Sequence, residues 1–499
     1  MTKAHFNVAT LMARNATLYR NREAVVGKDE RYSYEQIYFF SAQLAGYLAR
    51  EEISAGERIA ILSDNEVHFF TVFFAAAHLG AITVPINTRL SEEETAYILR
   101  DTEPKWLIAS QNYLERAKNL YSSSGVLDLE SLFKMPGSEV PDRNLSPDTP
   151  CLIIHTAAVG GRPRGAVLTH ENLISTAIQL AHLLKLTPGD CHLCMLPLYH
   201  IGGLAFSLAT MLSGGKTVLM SRFDPEAVPE SVEKEGVTFF ITFPPMLKSI
   251  LEVEEKKGKT LPSLRLAGGV DSPDTISQFH RLNPQAQFYS IYGQTECMPI
   301  CGGVTGGEGG MIGPPALLTQ VSIRDEENQE LPPGVVGEIC VRSPSVFSGY
   351  WPLSDDSSYT FRGGWHHTGD LGEVNLDGIL SYRGRKPEKD LIKTGGENVY
   401  PREVEGVILS QGAIAEVCVI GVPDEKWGES VVALCVLKQG SMATEGEIID
   451  YVASRIARYK KPRHVFFLPS LPKTSSGSID REEAKKIGVK LCVPPQRKG

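Results

Sequence analysis

Hydrophobic and polar positions along this chain repeat with periods that change from segment to segment. Residues 5 to 50 carry two stretches of helical period that flank a short strand pair, Ala24-Val25-Val26 and Arg31-Tyr32-Ser33-Tyr34. Arg58-Ile59-Ala60-Ile61-Leu62 reads as a buried strand, and an apolar helix follows from Phe69 to Leu79. Ala81 to Pro85 and Trp106-Leu107-Ile108-Ala109 are the next strands. This alternation of strand and helix predicts a mostly parallel, doubly wound sheet. Ile153-Ile154-His155 ends another strand and is followed by a glycine-rich loop. After Ala166-Val167-Leu168, Thr169 is placed to cap a helix whose apolar positions are Leu173, Ala177, Leu180 and Leu184.

From about residue 320 the pattern shortens to strands separated by Gly and Pro turns, as in Gln320 to Ile323 and Gly337 to Arg342. Beyond Lys393-Thr394-Gly395-Gly396 it becomes a compact α+β pattern. A helix is predicted over 401–409, strands over 417–420 and 431–437, and a second helix over 445–457. A chain of 499 residues exceeds one hydrophobic core. The expected architecture is therefore an α/β domain of doubly wound sheets with a distorted barrel-like β subdomain, residues 1–389. A small mobile α+β domain, residues 390–499, completes it.

Composition sharpens this picture in three ways. With 46 glycines and 31 prolines, the chain is loop-rich rather than a helical bundle. Its net charge of −9 argues against a nucleic-acid surface, which needs a basic face. The nine cysteines make close pairs only at Cys191/Cys194 and Cys297/Cys301, without histidines at zinc-ligand spacing, so they read as reduced, buried thiols. The first residues lack the apolar stretch of a signal peptide, and no segment approaches the roughly 18 apolar residues of a membrane span. A cytoplasmic protein without integral membrane contact is the expectation.

The candidate chemistry starts at His155-Thr-Ala-Ala-Val-Gly-Gly-Arg-Pro-Arg-Gly165. Gly160 and Gly165 have the separation of a Walker loop, but Ala166-Val167 replaces its Lys-Ser/Thr, so that reading fails. Alone, the segment is either a phosphate cradle or a plain strand-to-helix turn. Four other segments join it. Leu196 to Gly203 carries His200 at an expected strand end, beside glycines. Leu266-Ala-Gly-Gly-Val270 ends a strand in bare backbone. Ser290-Ile-Tyr-Gly-Gln-Thr-Glu296 gathers a ring, a hydroxyl and a carboxylate able to stack a base, meet a phosphate and hold a divalent cation. Trp365-His-His-Thr-Gly-Asp370 and Gly384-Arg385 are suited to ribose hydroxyls.

In this order the segments resemble the adenylate-forming family of acyl-CoA synthetases, luciferases and peptide-synthetase adenylation domains. The carriers are YGQTE (292–296), GEICVRSPSVFSGYW (337–351), GWHHTGD (364–370) and KTGGENVYPREVE (393–405). The resemblance implies that Tyr292 and Gly293 sandwich adenine with the Gly268-Gly269-Val270 backbone. It implies that Thr295 meets the α-phosphate, Glu296 binds Mg2+, and Asp370 binds the ribose hydroxyls with help from Arg385. Thr156, Gly161, Arg164 and Gly165 would belong to the phosphate loop. His200 would gate the acyl pocket, and Lys389 would lie at the hinge. Gly395 and Gly396 would line the pantetheine tunnel. ATP, Mg2+ and coenzyme A are the implied cofactor and co-substrates, a small carboxylic acid the substrate, and a homodimer one admissible assembly.

Two departures from the family pattern stand out. The phosphate loop lacks hydroxyls at Ala157, Val159 and Gly160, and Arg164 stands for the usual lysine. In Leu471-Pro-Lys-Thr-Ser-Ser-Gly-Ser-Ile-Asp-Arg481, Ser478 occupies the position of the lysine that meets the carboxylate and α-phosphate during adenylation. The resemblance therefore implies an AMP-forming acyl-CoA synthetase with adenylation impaired at Ser478. The rival reading is a nucleotide- or acyl-adenylate-binding protein that no longer adenylates. Ile201, Gly203, Phe243, Pro244 and Met298 are apolar pocket candidates, suited to an acid without a second charge.

Overall fold

The computed structural model describes residues 6–121, 125–134, 145–156, 163–304, 310–352, 360–386, 391–424, 426–474 and 479–492. Two compact units form. One comprises 1–88, 98–156 and 165–384, the other 89–97, 157–164 and 385–499.

The larger unit is built on two α/β sheets and a third, smaller one. An eight-stranded sheet runs in the spatial order Cys297–Val304, Gln287–Gln294, Leu266–Gly269, Phe239–Thr242, Cys191–Cys194, Lys216–Leu219, Glu23–Val26, Arg31–Ser33. Its six inner strands pair in parallel, from Gln287–Gln294 across to Glu23–Val26, and the two outermost strands are antiparallel. A seven-stranded sheet carries Arg58–Leu62 in parallel with Ile82–Pro85 on one side and Trp106–Ala109 on the other. This is the doubly wound pattern that the strand–helix alternation predicts. The β-rich subdomain is a five-stranded sheet ordered Met311–Gly313, Leu380–Arg385, His366–Val374, Gly337–Arg342, Gln320–Arg324.

Local chemistry accounts for the helices. Val67–Leu79 is apolar except at His68, Thr71 and His78 and buried except at His78, with Phe69, Phe70, Phe73 and Phe74 all in the core. His170–Leu183 begins at Thr169, whose hydroxyl accepts the Asn172 N–H while the Asn172 side chain accepts the Thr169 N–H. Leu173, Ala177, Leu180 and Leu184 are buried, as the helical period requires. Tyr34, expected to close a strand, instead opens the helix Tyr34–Arg50, because Ser33 and Gln36 form a capping box one residue earlier.

The smaller unit folds around the sheet Glu397–Val399, Ile392–Thr394, Gly428–Leu437, Ile414–Asp424, with His464–Phe467 beside Gly428–Leu437. Alternation along the strands gives it two apolar faces. Val417, Val419, Val431 and Ala433 enter one core, and Cys418, Ile420, Val432 and Leu434 the other. The helix Pro401–Leu409 has its expected bounds, but the one starting at Glu445 stops at Ala453 rather than 457. There the Ala457 N–H donates to the Glu94 carboxylate at 2.9 Å instead of continuing the helical ladder.

All nine cysteines are free and eight are buried. Burial pushes Cys194 and Cys297 up to about 12, so both stay as thiols at neutral pH.

Phe73→Ala should cost the larger unit about 3–5 kcal/mol, since no neighbour can refill a fully enclosed ring site. Urea unfolding checks this, and a loss below about 1 kcal/mol would contradict the packing account.

Candidate active site

The strands Leu266–Gly269 and Gln287–Gln294 pair in parallel, with Gly268 opposite Tyr289 and Gly269 opposite Ser290. Their carboxyl ends therefore lie side by side. Gly268, Gly269 and the following Val270 present backbone there, next to the strand that carries Tyr292 and Gly293. Thr295 and Glu296 form the turn into Cys297–Val304.

Asp370 is brought to this strand end from the five-stranded sheet. Its carboxylate is 1% exposed, and its Oδ2 accepts both the Tyr292 hydroxyl and Gln294 Nε2 at 2.7 Å. Gln294 Nε2 also donates to Thr368 O at 3.1 Å. Two donors on one oxygen fix the plane of a buried carboxylate.

The second focus is Glu296. Its Oε1 accepts the Tyr350 hydroxyl at 2.8 Å and lies 3.4 Å from the Thr156 hydroxyl. Tyr350 is held on the strand Gly349–Trp351, which pairs with the segment just after the glycine-rich loop, Trp351 opposite Gly165 and Tyr350 opposite Ala166. A carboxylate flanked by two hydroxyls, all oxygen donors, suits a hard divalent cation such as Mg2+. Thr156 ends the strand Pro150–Thr156, so this focus sits where the glycine-rich segment begins.

Three of the apolar candidates belong to the main core or its edge. Met298 is buried in the main core, and Ile201 and Phe243 pack against it. His200 is not at a strand end. The strand Cys191–Cys194 stops early, Pro197 accepts the His200 N–H at 3.1 Å, and His200 becomes the residue preceding the helix Ile201–Leu212. Gly203 therefore lies in the first turn of that helix. A Cβ there would stand 2.3 Å from the Pro197 carbonyl oxygen, so the glycine is demanded by the chain's own backbone.

Arg164, Arg385, Gly395 and Gly396 belong to the smaller unit. Arg164 opens the strand Arg164–Thr169, Arg385 closes Leu380–Arg385, and the glycine pair turns between Ile392–Thr394 and Glu397–Val399. Gly161, Lys389 and Ser478 lie outside the described residues. Sequence reasoning assigned no role to Gln294, Tyr350 or Glu338, although each lies inside a quoted motif.

An oriented carboxylate and bare glycine backbone at the carboxyl ends of parallel strands define the class of nucleotide-binding α/β proteins. Within that class the chain belongs to the AMP-binding enzyme family. The family's model matches residues 12–351, and that of the AMP-binding enzyme C-terminal domain matches 403–478. The chain is similar to the indoleacetate–CoA ligase of Aromatoleum aromaticum, 32% identical, with 95% of this chain and 96% of the relative covered. It is 30% identical to a 2-succinylbenzoate–CoA ligase of Bacillus cereus over 95% of this chain and 98% of that one. Among solved structures it is similar to the o-succinylbenzoate CoA synthetase of Bacillus subtilis bound with a product analogue, at TM-score 0.87 and 29% identity, covering 95% and 98% of the two chains. The branch is that of the acyl-CoA synthetases, AMP-forming acid–thiol ligases. Among the described residues no helix is long and apolar enough to cross a membrane.

Asp370→Ala should weaken AMP binding by about 10- to 100-fold, the worth of hydrogen bonds to a charged group, while the protein stays folded. Calorimetric titration with AMP alongside a thermal melt checks this. Unchanged AMP affinity would remove Asp370 from the nucleotide site.

Proposed function

We propose that this protein is an ATP-dependent acyl-CoA synthetase. It would activate an aryl-bearing or otherwise apolar carboxylic acid as its acyl-adenylate and pass the acyl group to coenzyme A, with adenylation as its weak step. The observation that carries the reading is the convergence of Tyr292, Gln294 and Asp370 with Glu296, Thr156 and Tyr350, six polar side chains from four separate segments. The first three suit a nucleoside. The second three suit a phosphate-bound cation. The aryl preference rests on the named relatives, which act on indoleacetate and 2-succinylbenzoate, and on the apolar character of Ile201, Phe243 and Met298.

In this reading residues 1–389 bind nucleotide and acid, and 390–499 form a lid that turns about the segment near Lys389. Tyr292 and Gly293 face adenine with the Gly268-Gly269-Val270 backbone, Thr295 meets the α-phosphate, and Asp370 with Arg385 holds the ribose. Glu296 would hold Mg2+, kept in place by the Tyr350 and Thr156 hydroxyls, and the cation would supply positive charge to the phosphates. Arg164 would grip phosphate oxygens as a planar fork where the loop has lost its hydroxyls. His200 would gate the acid, and Gly395 and Gly396 would admit the pantetheine arm. The site of reaction is soluble rather than membrane-embedded, and its substrate a small molecule.

The weak step follows from Ser478. A cation removed from a developing pentavalent phosphate costs several kcal/mol, by analogy with lost oxyanion donors at about 2.7–4 kcal/mol. Ser478→Lys should therefore speed pyrophosphate release by about 100- to 1000-fold with an arylacetic acid and ATP. An unchanged rate would mean another group already supplies the charge. If wild type and Ser478→Lys both bind ATP and neither releases pyrophosphate with any acid of a broad panel, the protein is the binder of the rival reading.

A second outcome concerns the loop. Arg164→Ala should weaken ATP by about tenfold or more and AMP hardly at all, because AMP lacks the β- and γ-phosphates. Equal losses for the two nucleotides would make the loop a plain turn.

A further inference from the structure

The turn that presents Asp370 is not a regular piece of strand. In the antiparallel pairing of Gly337–Arg342 with His366–Val374, Glu338 stands opposite Leu371 and Cys340 opposite His367. Two steps along one strand thus match four along the other, and Thr368-Gly369-Asp370 is extruded from the ladder. Such bulges re-aim side chains, and each leaves buried backbone donors in need of acceptors.

Two side chains, Thr368 and Glu338, supply those acceptors. Thr368 Oγ1 donates to Ile339 O at 2.7 Å and accepts the Asp370 N–H at 3.1 Å. Glu338 Oε1 accepts the Gly369 N–H at 2.9 Å, where Gly369 has φ +70°, a left-handed conformation that side chains rarely adopt. Glu338 is 3% exposed, and its Oε2 accepts from Arg362 Nη2 and His367 Nδ1, each at 2.9 Å. Cys340 Sγ lies 3.3 Å from the same Nδ1.

Glu338, Cys340 and His367 would pass for three metal ligands, their donor atoms lying within 4.8 Å of one another. The Arg362 guanidinium on one Glu338 oxygen and the Gly369 N–H on the other argue against it, because both oxygens are engaged and a cation already balances the carboxylate. The geometry is that of a hydrogen-bonded clamp.

We propose that Glu338 is a positioning residue for the nucleotide: its buried carboxylate holds the bulge that aims Asp370 at the ribose. This rests on the reading of Asp370 as the ribose-binding group. Glu338 reaches the nucleotide only through that turn, so its removal should be felt by the ribose hydroxyls and by little else.

The test compares AMP with 2′,3′-dideoxy-AMP by calorimetry in wild type, Glu338→Gln, Asp370→Ala and the double variant. Glu338→Gln should weaken AMP by about tenfold, change dideoxy-AMP by less than about twofold, and have no effect in the Asp370→Ala background. A merely structural role would lower both ligands by the same factor, and an independent role would be additive with Asp370→Ala. Either result overturns the proposal. Wild-type preference for AMP over the dideoxy ligand that survives Asp370→Ala overturns the ribose reading itself, and this inference with it. If Glu338→Gln fails to fold, Arg362→Gln, at a side chain 22% exposed, carries the test by the same criteria.

Discussion

One end of the candidate active site is organised around a single buried carboxyl group, that of Asp370. Asp370 lies almost wholly out of water, where a polar group needs hydrogen-bond partners. Tyr292 and Gln294 provide two of them from the neighbouring sheet. The same two bonds tie the end of an α/β sheet to the turn of the five-stranded sheet. Orientation of the carboxylate and registration of the two sheets are therefore one constraint. A chain that places Tyr292 two residues before Gln294 on one strand satisfies both at once, since residues two apart share a face.

Much of this was legible in the sequence, for reasons that are local. The strand Arg58–Leu62 and the helix His170–Leu183 follow from apolar period and from the cap at Thr169, which need only near neighbours. The helix Pro401–Leu409 is bounded by a proline at its start and keeps its predicted length for the same reason. What failed depends on distant partners. The helix after Glu445 ends where the Glu94 carboxylate, hundreds of positions earlier, captures a backbone N–H. His200 precedes a helix because the strand ends at Cys194 and the His200 N–H turns back onto the Pro197 carbonyl, and an apolar run with one proline does not say on which side the new element begins.

The candidate site divides along the same line. Tyr292, Glu296 and Asp370 stood out as candidates through the resemblance carried by YGQTE and GWHHTGD, since each segment alone reads as a turn. Gln294, Tyr350 and Glu338 sit inside motifs of the same resemblance, but their partners are 76, 54 and 31 positions away. Nothing in a linear pattern marks Gln294 as a donor to Asp370 or Glu338 as the acceptor that fills a bulge. Composition is silent on them as well, since buried polar residues are recognised by their partners alone.

The chain keeps the groups that fit a nucleoside and a metal-bound phosphate, yet carries serine where its family uses a lysine for adenylation. On the function proposed here, the first half-reaction would be limited by charge at phosphorus, whereas the second would need only a bound acyl-adenylate and a thiolate. The central claim is that the thioester half is intact. It is tested most directly by mixing the wild-type protein in excess with an arylacetyl-adenylate and coenzyme A in a single turnover, and following the thioester. The account predicts thioester formation far faster than the same protein makes the adenylate from ATP and the free acid. Bound adenylate that is never transferred to coenzyme A would contradict it.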